Sequence, residues 1–188
     1  MLKDLLLKNR SYRRFDNNYS IDRDTLVELI DMARIAPSAA NLQPLKYKLI
    51  CNDEENSLVF RNLGWAGYLK DWDGPIESER PSAYIIVLGD TDIRESFGCD
   101  HGIAAQTILL SATEKSLGGC MFGSVKRDRL RADLNLDDRY KILLVIALGK
   151  PIEKICLEEI VNKDIKYWRD EKQIHHVPKR RLDEIIVD

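Results

Sequence analysis

Arginines near the start of the chain are the residues best suited to binding an anion. They lie in Arg10-Ser11-Tyr12-Arg13-Arg14-Phe15, and a second basic group stands at Lys179-Arg180-Arg181. Guanidinium groups bind phosphate through paired hydrogen bonds, so a phosphorylated cofactor is a candidate ligand. If the first stretch is extended, Ser11 and Arg13 share one face. Each group alone also fits a solvated basic surface, and the second is either such a surface or the other side of the same phosphate site.

A short loop between two prolines carries a second set of candidate ligand-binding groups. Residues 36–44 are rich in small and amide side chains, and they include Ser38, Asn41 and Gln43. Hydroxyl and amide groups can hydrogen-bond the donor and acceptor edge of a heterocycle. The alternative is a turn that only ends the preceding helix.

The glycines in residues 118–124 have the spacing of a phosphate-binding P-loop but lack its chemistry. Ser124-Val125 stands where the motif requires Lys followed by Ser or Thr, and a helix instead of a strand is predicted before it. We therefore reject a P-loop. Cys120 has no His or basic residue adjacent to it that would activate the thiol, so a buried, inert thiol is expected.

The cysteines and histidines indicate neither a disulfide framework nor a metal site. The four cysteines are widely separated, with no CxxC pair and no His at zinc spacing: Cys51, Cys99, Cys120 and Cys156. His175 and His176 lie in a charged stretch and are expected at the surface, exposed or hydrogen-bonded. His101 is expected to be structural, with a role as a base as the alternative.

Length and charge exclude several classes of protein. The 188 residues predict a single domain, residues 1–188, and a net charge of −2 leaves no excess positive charge for nucleic acid or an anionic membrane. No apolar run reaches the roughly 18 residues of a membrane span. The first residues have no apolar signal segment, so we expect a cytoplasmic protein.

Hydrophobic periodicity and capping residues predict both helices and strands. Helices are predicted over residues 2–9, 22–35, 53–63, 98–117 and 125–134, and strands over 45–49, 83–88 and 142–148. Asp22 can cap the second helix, and Pro37 ends it. The helix over 98–117 is apolar around more than half its circumference, so it should be central, and Gly118-Gly119 are expected to cap its end. A loop is predicted over 118–123.

The composition changes after Pro151. In the last 38 residues, 17 are charged, which is too polar for a separate core, yet the segment carries apolar residues such as Tyr167 and Trp168. We therefore predict that residues 151–188 form an arm that packs its apolar side chains onto another surface, either of this subunit or of a partner.

Five short motifs stand in a fixed order along the chain. They are Arg10-Ser11-x-Arg13-x-Phe15, Ala36-Pro37-Ser38-x-x-Asn41-x-Gln43-Pro44, Gly118-Gly119-Cys120, Ala147-Leu148-Gly149-x-Pro151, and Tyr167-Trp168-Arg169-Asp170-Glu171 leading to His175-His176-Val177-Pro178-Lys179-Arg180. Each motif is weak alone, but five in order are hard to attribute to chance. Together they resemble the FMN-dependent nitroreductase family over almost the whole chain.

The resemblance implies an α+β fold in which helices wrap a mixed sheet. It also implies an interlocked homodimer with FMN at the subunit interface, crossed by the C-terminal arm. The implied contacts to the phosphate, ribityl chain or pyrimidine edge are Arg10, Ser11 and Arg13, with Lys179 and Arg180 holding the phosphate. The partner subunit would contribute Pro37, Ser38 and Asn41, with Gln43 also facing the site, and the isoalloxazine would lie beside Gly118, Gly119 and Cys120.

Three positions depart from the family pattern. Asn9 stands where many relatives have a basic residue, Leu45 where an aromatic residue is common, and Met121 where Trp is frequent. The first departure weakens the phosphate assignment, and the other two leave the shape of the substrate pocket open. Three aromatic residues of a predicted loop over 64–80 are expected to fill the core instead of lining that pocket: Trp65, Tyr68 and Trp72.

The activity implied by the resemblance is flavin-mediated transfer of a hydride from NADH or NADPH to a nitroaromatic, quinone or similar acceptor by a ping-pong mechanism. The cofactor performs the redox step, so no side chain need act as a nucleophile. Arg13, with Arg10 as the second candidate, would stabilise the negative charge that develops on the flavin. A backbone N–H of Gly119 or Cys120 is the candidate donor to the flavin N5 atom. The alternatives are a flavin-binding protein that stores or senses the cofactor without turnover, and a dimeric interaction module whose basic motifs are only surface.

Overall fold

A computed structural model describes residues 1–187 of the chain. The helices are α1 (Leu2–Lys8), α2 (Arg23–Arg34), α3 (Asp53–Phe60), α4 (Asp100–Glu114) and α5 (Arg127–Asp133). The strands are β1 (Phe15–Asp16), β2 (Leu45–Ile50), β3 (Ala83–Asp90), β4 (Gly118–Phe122), β5 (Tyr140–Pro151), β6 (Ile155–Glu159), β7 (Trp168–Arg169) and β8 (His175–Lys179). Every helix and strand predicted from the sequence is found, with its ends moved by a few residues. None of the helices in residues 1–187 is long and apolar enough to cross a membrane.

The main sheet is organised around β5. Strands β1, β3 and β4 all pair with β5 in antiparallel fashion, and β2 pairs with β3. The prediction of a loop over 118–123 is wrong, because residues 118–122 form β4. Gly119 explains the close pairing: a Cβ atom on it would lie 2.3 Å from the carbonyl oxygen of Ala147 on β5. A pair of glycines thus admits close strand contact at a place where sequence reasoning expected a turn.

Helix α4 ends one turn before the glycine pair. Ser116 takes the left-handed conformation, with φ of 59°, that was expected of a glycine. Its N–H donates to the oxygen of Thr113 at 3.0 Å, and the N–H of Leu117 donates to the oxygen of Ala112 at 2.9 Å. These two bonds are the Schellman pattern that closes a helix. The predicted glycine cap is therefore wrong, and the glycines belong to the strand.

The sheet is covered on both faces, and its central strands are the most buried part of the molecule. All eight residues of β3 are buried, as the continuous apolar run predicts. One face packs against α2 and α4, including Leu29 and Ile108, and the other packs against α3 and α5, including Val59 and Leu130. Helix α4 is thus central, as predicted. Its first residue is hydrogen-bonded to the loop that precedes β2.

The C-terminal segment builds a small sheet of its own. Strand β6 pairs with β8 in parallel, and β7 pairs with β8 antiparallel. The sequence predicts no strand here, because the segment is so polar. The apolar side chains of this segment include several that are exposed within residues 1–187: Ile152, Val161, Ile165, Ile185 and Ile186.

The aromatic residues of the loop after α3 divide between core and surface. Trp65 packs against Phe60 and Phe122, with ring centroids 5.3 and 4.7 Å apart, so it belongs to the core as predicted. Tyr68 is 46% exposed, so the expectation that it fills the core is wrong, and its ring centroid lies 4.9 Å from that of Tyr167 in the C-terminal segment. The loop therefore contacts the arm through the ring of Tyr68, which is exposed, and that of Tyr167, which is half-buried.

Candidate functional site

Residues from both basic groups found in the sequence line a single cavity of about 280 Å³. Its walls come from both ends of the chain: Asn9, Arg10, Ser11, Arg13, Tyr167, His175, Val177 and Lys179. The structure therefore brings Arg10, Ser11 and Arg13 together with Lys179. That this cavity holds a phosphate stays a prediction.

Residues 10–14 reach the cavity because they are extended beside β4. The N–H of Tyr12 donates to the oxygen of Gly119 at 3.0 Å, and Ser11 forms a parallel bridge with Gly119. Side chains alternate along this stretch, as predicted. Arg13 lines the cavity, whereas the guanidinium of Arg14 donates two hydrogen bonds of 2.6 Å to the carboxylate of Glu79.

The guanidinium of Arg13 is held without a carboxylate partner. Its Nη1 atom donates to the oxygen of Ser11 at 3.2 Å and lies 3.3 Å from Nε2 of His175. The Cζ atom of Arg13 lies 4.8 Å from the ring centroid of Tyr167. Among residues 1–187, no carboxylate oxygen lies within 4.0 Å of this guanidinium. Its charge is therefore available to a ligand in the cavity.

Glu153 joins the two ends of the chain beneath the cavity. Its side chain is fully buried, accepts the backbone N–H of Arg13 at 2.9 Å and pairs with Nη2 of Arg169 at 2.6 Å. The Arg169 guanidinium also lies 4.6 Å from the ring of Trp72. A buried carboxylate is stable when it is paired and hydrogen-bonded, as here. Sequence reasoning missed Glu153 because nothing in its neighbours marks it as buried.

His175 is a second residue that sequence reasoning misplaced. It is buried, with 1% of its surface exposed, although it was expected at the surface. Burial first, and then the charges of Arg13 and Arg169, lower the pKa of His175 to about 4, so the ring is neutral near pH 7. Its Nδ1 atom is buried and has no hydrogen-bond partner among the described residues. The sequence signal for the burial of His175 is Val177, an apolar residue on the same face of the strand. His176 is hydrogen-bonded, as predicted.

The loop between the two prolines lines a second cavity, of about 270 Å³. The residues around it are Ile30, Ala33, Arg34, Ala36, Pro37, Ser38, Gln43, Leu45, Tyr47, Asp100 and Ala104. No residue is common to the walls of the two cavities. The predicted site residues that line a cavity therefore form two separate sets in one chain.

Asp100, at the start of α4, organises this loop. Its carboxylate is buried and accepts the Ser38 hydroxyl at 2.7 Å and the N–H of Ala39 at 3.1 Å. The Ser38 oxygen in turn accepts the N–H of Gln43 at 3.0 Å. Burial and the charge of Asp100 raise the pKa of Tyr47, which lines the cavity, to about 12. Asp100 was not identified from the sequence, since it is an isolated acid before an apolar helix.

The loop holds a strained backbone. Ala40, Asn41 and Gln43 have φ angles of 52°, 54° and 49°, in the left-handed region that few residues other than glycine adopt. Such conformations persist only where surrounding contacts hold them, and they concentrate at functional sites. The bonds from Asp100 and Ser38 supply those contacts here.

The glycine strand lies behind the first cavity and outside its wall. Gly118, Gly119 and Cys120 are buried in β4. Burial raises the pKa of the Cys120 thiol, which agrees with the expectation of an inert cysteine. Of the predicted site residues, five line neither cavity: Asn41, Gly118, Gly119, Cys120 and Arg180. Arg180 is exposed and lies 3.7 Å from the carboxylate of Glu184.

Comparison with known proteins identifies the family to which this chain belongs. The profile of the nitroreductase family matches residues 6–72 and 78–150. The chain is a member of the nitroreductase family.

Two curated relatives match most of the chain at low sequence identity. YodC of Bacillus subtilis (strain 168), provisionally named an NAD(P)H nitroreductase, is 23% identical over 180 residues, covering 80% of this chain and 89% of its own. MhqN of the same organism, named in the same way, is 24% identical over 187 residues, covering 78% and 86%.

Solved structures share the fold at similarly low identity. A provisionally named NAD(P)H:FMN oxidoreductase from Staphylococcus epidermidis ATCC 12228 has a TM-score of 0.74, with 19% identity over 100% of this chain and 95% of that chain. A provisionally named nitroreductase from Exiguobacterium sibiricum 255-15, solved in complex with FMN, has a TM-score of 0.66, with 18% identity over 81% and 89%. The predicted α+β fold, a sheet wrapped by helices, is confirmed.

Proposed function

We propose that this chain is an NAD(P)H-dependent FMN oxidoreductase that works as a homodimer and reduces a nitroaromatic, quinone or similar acceptor by a ping-pong mechanism. Family membership supports the reaction class, and the FMN complex of a protein with the same fold supports the cofactor. The observation that carries the proposal is the meeting of Arg10, Arg13 and Lys179 around one cavity. Three cationic side chains from distant parts of the chain suit a phosphorylated ligand.

The residues of the first cavity fit FMN in charge and in hydrogen bonding. Arg10 and Lys179 are the candidates for the phosphate, and Lys179 is favoured over Arg180, which has an acidic neighbour instead. Because Nε2 of His175 accepts a hydrogen bond from Arg13, its proton is on Nδ1, which is a buried donor without a partner in the described chain. His175 also lines the first cavity, so this unpaired donor belongs to a residue that a bound cofactor would contact.

The second cavity supports a site completed by the partner subunit. Pro37, Ser38 and Gln43 line a separate cavity, so a single chain presents them apart from the arginines. In the proposed dimer, Pro37, Ser38 and Gln43 of one subunit would contact the flavin that Arg10 and Arg13 of the other would hold. Strand β8 docks on its own subunit, and the exposed apolar side chains elsewhere in residues 151–187 support an arm whose remaining part crosses to the partner.

The chain binds, orients and tunes the cofactor in this proposal. The chemistry that FMN would supply when bound is hydride transfer from NADH or NADPH and electron transfer to the acceptor. Arg13 would stabilise the negative charge of a reduced flavin, because no carboxylate oxygen of residues 1–187 lies within 4.0 Å of its guanidinium. Cys120 takes no part as a nucleophile, since burial keeps its thiol protonated.

The test is a visible spectrum of the freshly purified protein before and after anaerobic addition of NADH or NADPH, followed by a quinone or nitroaromatic. Flavin absorbance that bleaches with the reductant and returns with the acceptor supports the enzyme. Bound flavin without steady-state oxidation of NAD(P)H would instead indicate storage or sensing. A colourless protein that does not take up FMN would contradict the proposal. Light scattering of the same sample tests the dimer.

A further inference from the structure

One face of the small C-terminal sheet gathers a thiol, a carboxylate and an imidazole. Cys156 and Glu158 are two residues apart on β6, so their side chains point to the same side. His176 on β8 lies opposite Cys156 in the parallel ladder. One ligand atom from each of these three side chains lies within 4.8 Å of the other two.

The imidazole of this group is held in the orientation that a metal ligand needs. Its Nδ1 atom is hydrogen-bonded to Glu158, and its Nε2 atom lies 3.3 Å from the carboxylate of Asp170. Trp168 stacks on the ring, with centroids 4.1 Å apart and planes 7° from parallel. Metal-bound histidines almost always donate their second ring nitrogen to a carboxylate, a carbonyl or water, which fixes the ring. Asp170 is placed to accept from Nε2, which leaves Nδ1, on the side of Glu158, as the nitrogen for the metal.

We propose that Cys156, Glu158 and His176 bind one transition-metal ion, with Zn²⁺ as the preferred ion. Thiolate, imidazole and carboxylate are the three protein ligand types that zinc uses, and a thiolate disfavours Mg²⁺ and Ca²⁺. Three protein ligands leave the fourth tetrahedral position to water. The sequence analysis missed this set because its members lie on two strands and follow no zinc-binding spacing.

Small side-chain rotations complete the coordination. Ligand atoms around tetrahedral zinc are about 3.5 Å apart, given bonds of about 2.0–2.3 Å. Cys156 is exposed and the side chain of Glu158 is 37% exposed, so both can move closer. The His176 side chain is only 14% exposed and is held by Trp168 and Asp170, so it is the fixed member.

The proposed metal site is separate from the flavin cavity. His175 lines that cavity and His176 belongs to the metal group, and adjacent residues of a strand point to opposite faces. Zinc binding therefore requires neither flavin nor NAD(P)H. It would tie β6 to β8 and so stabilise the C-terminal arm.

The test measures zinc in the flavin-containing protein. The protein is dialysed against a chelator, equilibrated with Zn²⁺ over a range of concentrations, and its metal content is determined by mass spectrometry. We expect one Zn²⁺ per chain, and at least a tenfold weaker affinity in Cys156→Ser and in His176→Gln. Asp170→Asn should weaken binding by about 10–100-fold, the usual effect of losing the carboxylate behind a ligating histidine.

Cys99→Ser is the matched control, because Cys99 is also an exposed free thiol but lies outside the group. It should bind Zn²⁺ as the wild type does. Co²⁺ provides a second readout, since a thiolate-bound Co²⁺ ion has visible bands that Cys156→Ser should abolish. The proposal is overturned if the wild type takes up no Zn²⁺, or if Cys156→Ser and His176→Gln bind it as tightly as the wild type. A cooperative thermal transition without Zn²⁺, as in the wild type, shows that each variant is folded.

Discussion

Nη1 of Arg13 and Nε2 of His175 lie 3.3 Å apart at the wall of the first cavity, although the two residues are 162 positions apart in the chain. The contact orients the guanidinium because the buried imidazole is neutral and can accept its hydrogen bond. It also ties the N-terminal arginines to the C-terminal strand β8. The proposed flavin site therefore depends on the docking of the arm within one chain.

Arg13→Ala is expected to weaken FMN binding or to lower the flavin reduction potential. A hydrogen bond to a charged group contributes about 1.5–3 kcal/mol, so roughly a tenfold or greater increase in Kd is expected. Arg13→Lys separates charge from geometry, because one ammonium group cannot reproduce the planar guanidinium fork. Flavin titration and potentiometry are the measurements. Arg129→Ala, an exposed arginine of α5, is the control. Unchanged affinity, potential and turnover in Arg13→Ala would remove this residue from the site.

Lys179→Ala is expected to weaken FMN binding more than Arg180→Ala does. Lys179 lines the cavity that contains Arg10, whereas Arg180 faces Glu184 at 3.7 Å and lines neither cavity. The two variants remove one positive charge each, one residue apart, so the general electrostatic effect is nearly matched. The Kd for FMN at two salt concentrations is measured for both. Equal losses would show that net charge, and no specific contact, holds the phosphate.

Asp100→Asn is expected to loosen the loop over residues 38–43 and to weaken flavin binding. The carboxylate accepts two donors, the Ser38 hydroxyl and the Ala39 N–H, and a carboxamide presents an NH₂ group to one of them. Losing one buried acceptor costs about 1–3 kcal/mol of stability. Urea unfolding and FMN titration measure the two effects. Asp24→Asn, at an exposed acid in the first turn of α2, serves as the comparison. Wild-type behaviour of Asp100→Asn in both assays would show that this carboxylate does not support the loop.

The sequence predicted the elements well wherever apolar periodicity or a capping residue marked them. Asp22 caps α2 through the N–H of Thr25, and the continuous apolar run over β3 is buried on both faces, as expected. The failures have a common physical cause. Gly118 and Gly119 lie in a strand whose close neighbours leave no room for a Cβ atom. Those neighbours are distant in sequence, so local secondary-structure preference does not reveal the strand.

The candidate site was predictable only in its basic and loop residues. Arg10, Arg13 and Lys179 are recognisable by charge and motif, and the structure brings them to one cavity. Glu153 and Asp100 were not, because a buried acid is identified by its partners, and those partners are distant in sequence. Long-range pairing is the information that a single sequence lacks.

Glu79→Gln is expected to remove part of the dependence of stability on pH in the acid range. Hydrogen bonding to Arg14 is the main cause that lowers the pKa of Glu79 in the folded chain. The folded state therefore binds fewer protons than the unfolded state between the two pKa values. The stability from this pair is present above the unfolded pKa of about 4.3 and is lost as the pH falls through the lower, folded value.

The size of this effect should be roughly 1 kcal/mol, since the pair is bidentate but partly solvated. Urea unfolding of wild type and Glu79→Gln is compared at neutral pH and at the lowest pH where both fold. The difference between them should shrink toward low pH. Glu28→Gln, which removes a more exposed ion pair with Lys115, should show a smaller change. A constant difference across the pH range would contradict the assignment.

Gly119→Ala and Gly102→Ala are expected to change stability in opposite directions. A Cβ on Gly119 would lie 2.3 Å from the oxygen of Ala147 and 2.7 Å from Cδ2 of Leu109, so β4 must shift, at a cost of about 1–3 kcal/mol or more. A Cβ on Gly102, within α4, would meet nothing within 4 Å, and alanine should add about 0.5–1 kcal/mol of helix stability. Because the oxygen of Gly119 accepts the N–H of Tyr12, the shift should also displace Ser11 and weaken FMN retention. Thermal unfolding and flavin content measure both effects. If Gly119→Ala is as stable as the wild type and keeps its flavin, the close packing of β4 against β5 does not position the cavity.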